Sequence, residues 1–145
     1  MNEEPIFHIS NPEGKRELIM VVDDDSLVTM LVERLLTTEG YRVVTASDGF
    51  HAVAIYEKLH GQVQLVILDF KMPGMDGFAV FNKMRDINPQ VLAALTSGYV
   101  EEIKLKGMLT QGMRGFIPKP LTQQKFLLQV RSIIEAGACS SAACP

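Results

Sequence analysis

Cysteine is scarce in this chain of 145 residues: there are two, Cys139 and Cys144, both within the last seven positions. A disulfide there would close only a tiny loop, and two thiols alone do not complete a zinc site. The pair reads as an exposed, reduced tail. Long apolar runs are also missing, and none approaches the roughly 20 residues needed to cross a bilayer. The opening MNEEPIFHISNPEGKREL is acidic and polar, where a secretory signal would be basic and then apolar. A cytoplasmic protein without membrane contact is the expectation. Positive charge is not in excess: 14 Lys+Arg stand against 17 Asp+Glu, a formal net charge of -3. That balance argues against direct nucleic-acid binding, which requires a basic surface to neutralise phosphates. The three histidines, His8, His51 and His60, have no Ser or Cys partner pattern. There is neither a G-x-S-x-G elbow nor a Gly-rich phosphate loop.

What is present is a globular composition, with 47% hydrophobic and 21% charged residues in the length of one domain. Five apolar, β-branched-rich runs predict strands over 18–23, 42–46, 65–69, 91–96 and 115–118. Several are continuously apolar, as in IMVV and LVIL, which places them in a sheet covered on both faces. Between them lie helical patterns. Ser26 can cap a helix carrying Leu27, Met30, Leu31 and Leu35, with Gly40 as its stop. Ala52, Ile55, Tyr56 and Leu59 mark a second helix, and Phe78, Phe81 and Met84 a third. A weaker fourth covers 101–111. Phe126, Val130, Ile133 and Ile134 mark the last, ending near Gly137. Strand and helix thus alternate five times, an α/β arrangement. Right-handed crossovers make it a doubly wound parallel sheet of the flavodoxin-like kind. Residues 1–17 and 138–145 read as tails around a domain over 18–137.

Ligands in such folds bind outside the carboxyl ends of the strands. The first predicted strand runs into Asp23, Asp24 and Asp25, and the third ends at Asp69. The fourth ends at Thr96-Ser97-Gly98 and the fifth at Lys119-Pro120. Each part alone has a bland reading: a solvated turn or a helix cap, as Asp25 is expected to be, a loop, a surface lysine. Their joint placement at four strand ends is what points to a site. Two carboxylates about 4 Å apart repel by about 4 kcal/mol at an effective dielectric of 20, so such a cluster protonates or takes a cation. Oxygen ligands without His or Cys suit Mg²⁺ or Mn²⁺. A lysine and a hydroxyl beside the ion are the equipment for phosphoryl transfer.

The loop after Asp69 reads Phe70-Lys71-Met72-Pro73-Gly74-Met75-Asp76-Gly77, where Pro73 and Gly74 fit a tight turn and Gly77 frees the backbone before the next helix. Taken together, VVDDDS, LVILDFKMPGMDG, ALTSGY and FIPKPL resemble, in order and spacing, the receiver domain of two-component response regulators. The resemblance covers roughly residues 17–136, and the D-x-x-MPGMDG segment is its most specific part. It implies a five-stranded (βα)5 sheet of order 2-1-3-4-5.

By that resemblance, Asp69 is the phosphoacceptor for a phosphohistidine. Asp24 implies direct ligation of Mg²⁺ (or Mn²⁺), Asp23 contact through metal-bound water, and Lys71 a backbone carbonyl ligand. Lys119 implies a partner for a phosphoryl oxygen, and Pro120 a cis Lys-Pro bond. Ser97 is the better candidate for the switch hydroxyl, with Thr96 the runner-up, and Phe116 is the switch aromatic. The side chain of Lys71 stands where many relatives carry a neutral or smaller one. The implied partners are a sensor histidine kinase or phosphotransfer protein and a downstream protein target. A homodimer through the fourth helix, fifth strand and final helix is a further expectation. Such a chain is a switch, not an enzyme with a separate substrate; it catalyses only its own phosphorylation and hydrolysis. The expectation at this length is a switch without an effector domain of its own, whether stand-alone or part of a longer kinase or regulator. Two alternatives stand beside this reading. A haloacid-dehalogenase-like phosphatase would use Asp23-x-Asp25 as its opening motif. A degenerate receiver would act as a constitutive binding module.

Overall fold

The computed structural model describes residues 6–97, 115–118 and 122–139. Its elements run β1 (Ile9–Ser10), β2 (Leu18–Val22), α1 (Ser26–Thr38), β3 (Arg42–Ala46), α2 (Gly49–Leu59) and β4 (Val63–Asp69). There follow α3 (Gly77–Ile87), β5 (Ala93–Ser97), β6 (Gly115–Pro118) and α4 (Gln123–Cys139). The fourth predicted helix, over 101–111, lies outside the described residues.

The strands form one sheet of order β1-β3-β2-β4-β5-β6. All pairs among β2 to β6 are parallel, and their arrangement is the expected 2-1-3-4-5 order. The sheet has a sixth strand that the sequence reading placed in a tail. Ile9 and Ser10 pair antiparallel with Val44 and Val43, covering the outer edge of β3. A two-residue strand is too short to carry a readable periodicity, and its pairing is decided by the edge it meets.

Successive side chains of a strand point to opposite faces. Met20, Val22, Val44, Val66 and Leu68 accordingly pack with α2 and α3, while Ile19, Val21, Val43, Leu65 and Ile67 pack with α1 and α4. Each fully buried aliphatic or aromatic side chain contributes about 1.5–3 kcal/mol. The sheet is held from both sides.

The stripe on α1 differs from the expected one. Val32 and Leu36 are buried, with Val28 and Leu35 partly so, whereas Leu27, Met30 and Leu31 face outward. The helix has apolar residues on more than one face, and the pitch of α1 over the sheet selects which is covered. Of the two caps the sequence offers, Asp25 and Ser26, the N-cap is Asp25: the carboxylate accepts from the N–H groups of Leu27 (3.0 Å) and Val28 (3.4 Å). Gly40, at φ 94°, turns the chain out of α1 as expected.

Candidate functional site

The carboxyl ends of β2 and β4 lie side by side, since Val22 pairs with Leu68 and the next residues are Asp23 and Asp69. Both aspartates are buried, at 3% and 5% exposure, and Asp24 beside them is exposed. One carboxylate oxygen from each of Asp23, Asp24 and Asp69 lies within 4.8 Å of the other two. At that spacing each pair of charges repels by about 3–4 kcal/mol at an effective dielectric of 20. The donor set is oxygen only and includes an exposed member, so it fits a hard, partly hydrated divalent cation such as Mg²⁺.

Backbone hydrogen bonds hold the two acidic segments. The Asp23 N–H donates to the Ala46 carbonyl (3.2 Å), and the Asp25 N–H donates to Asp23 Oδ1 (2.9 Å). Thr29 Oγ1, one turn into α1, stands 3.2 Å from the Asp23 carbonyl oxygen and 3.1 Å from that of Asp25. After Asp69, the Phe70 N–H donates to the Thr96 carbonyl and the Gly77 N–H to the Phe70 carbonyl, both at 2.9 Å. The loop between is compact: Met72 and Met75 are buried and Gly74 takes φ 81°. Gly77 is required for closeness, not for backbone freedom. A Cβ there would lie 2.6 Å from the Asp69 carbonyl oxygen and 3.1 Å from Leu95 Cδ1. Asp76 caps α3 through the Ala79 N–H (2.9 Å).

The remaining candidates sit as follows. Lys71 is exposed on the loop. Thr96 is buried, and its hydroxyl donates to the Leu68 carbonyl at 3.4 Å. Ser97 ends β5, its backbone opposite Pro118, with its side chain outside the described residues. Phe116 lies opposite Leu95 and packs, half-buried, against the core on the α2–α3 side. Lys119 and Pro120 lie outside the described residues. The Asp23-x-Asp25 motif of the phosphatase alternative is not supported, because the Asp25 carboxylate is committed to capping α1. Thr29 was not singled out from the sequence. A threonine inside a helix carries no signal of its own, and its role depends on which carbonyl the fold brings to it.

Among the described residues, no helix is long and apolar enough to cross a membrane. Comparison with known proteins agrees with the geometry. A family model described as the response regulator receiver domain matches residues 19–131. The chain is 33% identical over 125 residues to a chemotaxis protein CheY of Treponema pallidum, covering 86% of this chain and 87% of that one. It is 32% identical over 117 residues to the sensor kinase CckA of Brucella abortus, covering 81% of this chain but 12% of the kinase. It spans about half of several transcriptional regulators, such as TcrX of Mycobacterium tuberculosis (31% identical, 51% of its length). The CheX–CheY–BeF3–Mg complex of Borrelia burgdorferi holds a chain that superposes with a TM-score of 0.79 at 29% identity, covering 86% of this chain and 98% of that one. The chain belongs to the response regulator receiver domain family, and it is a phosphorylation-dependent switch of two-component signalling.

Proposed function

We propose that Asp69 is the phosphoacceptor of this switch, with Asp24 and the Lys71 backbone carbonyl as the remaining direct ligands of a Mg²⁺ (or Mn²⁺) ion and Asp23 in contact with it through metal-bound water. The observation that carries the reading is the convergence of the Asp23, Asp24 and Asp69 carboxylates within 4.8 Å at the end of β4. When bound, the ion supplies positive charge for the phosphoryl oxygens and lowers the repulsion met by an anionic donor. Asp69 supplies the nucleophile: a carboxylate oxygen bonds to phosphorus, the phosphorus–nitrogen bond to the donor imidazole breaks, and the imidazole leaves with a proton. Lys119 balances charge on the phosphoryl group. Ser97, ahead of Thr96, is the hydroxyl that follows it, and Phe116 moves with Ser97. Hydrolysis by water returns the chain to its starting state, and Lys71, exposed at the rim, sets the lifetime of the phosphoryl group by holding the attacking water away or recruits anionic donors.

Receiver domains are signalling switches, not enzymes with a separate substrate. The donor in this reading is a sensor histidine kinase or phosphotransfer protein. Exposed Leu27, Met30 and Leu31 on α1, with Phe50 at the start of α2, support a protein partner there, because four large apolar side chains are left uncovered. The output is a changed affinity for a downstream protein, or a homodimer formed through the segment from residue 99 to 134. A cytoplasmic location belongs to the same reading.

Incubation with acetyl phosphate and Mg²⁺, followed by intact mass, tests it. The expected result is one phosphoryl adduct in the natural chain and none in Asp69→Asn. An adduct that survives in Asp69→Asn, or that depends on Asp23 instead, overturns the assignment.

A further inference from the structure

The N-terminal segment ahead of β2 is fastened to both α1 and α2. Ser10 Oγ donates to Glu33 Oε2 on α1 at 2.9 Å. His51 Nε2, in the first turn of α2, stands 2.7 Å from the Ile6 carbonyl oxygen. β1, which includes Ser10, pairs with the edge of β3.

The anchoring residues also border the site. Glu33, Thr29 and His51 line one cleft of about 360 Å³ together with Asp23. Thr29 and Glu33 are four residues apart, hence on one face of α1. At the near end of that face, the Thr29 hydroxyl reaches the carbonyl oxygens of Asp23 and Asp25. At the far end, Glu33 accepts from Ser10. A continuous path therefore runs from the N-terminal arm, along α1, to the backbone of a residue in the acidic cluster. Holding mutually repelling carboxylates in place is a cost borne before any cation arrives, and elements that fix their backbone lower the reorganisation that binding requires.

We infer that the arm over residues 6–12 is a positioning element of the cation site: docked on α1 and α2, it presets the Asp23–Asp24 turn, so arm docking and divalent-cation binding favour each other. Ser10, Glu33, His51 and Thr29 are its positioning residues. This rests on the reading of the acidic cluster as a divalent-cation site. Linkage makes the coupling reciprocal, so cation binding must also tighten the arm.

The experiment uses the full chain. Mg²⁺ alone is titrated by calorimetry into the natural protein, the double variant Ser10→Ala/His51→Ala, Thr29→Val and Thr29→Ser. The double variant and Thr29→Val are expected to bind Mg²⁺ about fivefold more weakly, and Thr29→Ser is expected to keep the natural affinity. Reciprocally, saturating Mg²⁺ is expected to slow amide exchange across residues 6–16 severalfold in the natural chain and not in Asp24→Asn. A double variant whose arm amides exchange freely while its Mg²⁺ affinity stays within about twofold of the natural value overturns the coupling. If that variant does not fold, the Thr29→Val and Thr29→Ser pair decides, and equal affinities overturn the proposal. A natural chain with no Mg²⁺ response removes the cation site itself, a failure distinct from unchanged variants of a chain that binds.

Discussion

Gly77 packs so closely on the carbonyl of Asp69 that a single methyl group would stand 2.6 Å from its oxygen. The last residue of β4 and the first of α3 are thereby pressed together, which closes the loop that carries Lys71. Gly77→Ala gains helix propensity but must push apart backbone atoms, and overpacking of this kind costs about 1–3 kcal/mol. The expected net effect is a loss of about 1–2 kcal/mol in urea unfolding, together with slower labelling by acetyl phosphate. Unchanged stability and labelling would show that the loop tolerates the displacement.

Asp24 is the exposed member of the acidic cluster, so its removal relieves repulsion without leaving a buried group unpaired. Asp24→Asn is expected to stabilise the metal-free chain by about 1 kcal/mol, the Coulomb gain being screened by solvent. The same change is expected to abolish most of the rise in thermal midpoint that Mg²⁺ produces in the natural chain. Melting curves with and without Mg²⁺ read both effects, which have opposite signs.

Glu17 ties the start of β2 to the middle of α4. Arg131 Nη2 donates to Glu17 Oε2 at 2.7 Å and Arg131 Nη1 to the Tyr41 hydroxyl at 3.2 Å. The hydrogen bond from Arg131 holds the Glu17 carboxyl below its ordinary value of 4.5, with burial opposing it. A carboxyl depressed in the folded state contributes stability that is complete above the unfolded value and is lost as pH falls through the folded one. Glu17→Gln is therefore expected to cost about 0.5–1 kcal/mol near neutral pH, as for a partly exposed pair. The cost is expected to vanish once the pH lies below the folded Glu17 value. Denaturant unfolding of both proteins across pH 2–7 tests the sign.

The two adjacent hydroxyls at the end of β5 separate by experiment. The Thr96 hydroxyl is spent on the Leu68 carbonyl, inside the sheet. Thr96→Val is expected to lower stability by about 1 kcal/mol and to leave the rates of phosphorylation and dephosphorylation within about twofold of natural values. Ser97→Ala is expected to slow phosphorylation at least tenfold with little change in stability, a loss comparable to removing one donor from a charge-stabilising site. Stopped assays of the phosphoryl adduct distinguish the two, and the reverse pattern would move the switch role to Thr96.

Much of this arrangement was legible in the chain itself. The core strands announced themselves because a strand buried on both faces needs continuous apolar residues, as in Leu65–Leu68, and that demand is local. Asp23, Asp24 and Asp69 were readable as a group because parallel strands bring their carboxyl ends to one edge whatever the details of packing. The apolar face of α1 was not readable. Leu27, Met30 and Leu31 keep helical spacing as well as Val28, Val32, Leu35 and Leu36 do, and only contact with the sheet separates the two sets.

By itself, then, the sequence determined the order of the five parallel strands and of the described helices between them, the acidic edge and the loop chemistry after Asp69, since each follows from periodicity or from residue types at short range. The tertiary structure alone decided that Ile9 and Ser10 close the edge of β3 and that Thr29 reaches the Asp23 carbonyl. Edge pairing and side-chain reach depend on distances between segments far apart in the chain, or on the exact pitch of a helix, and no local pattern encodes those distances.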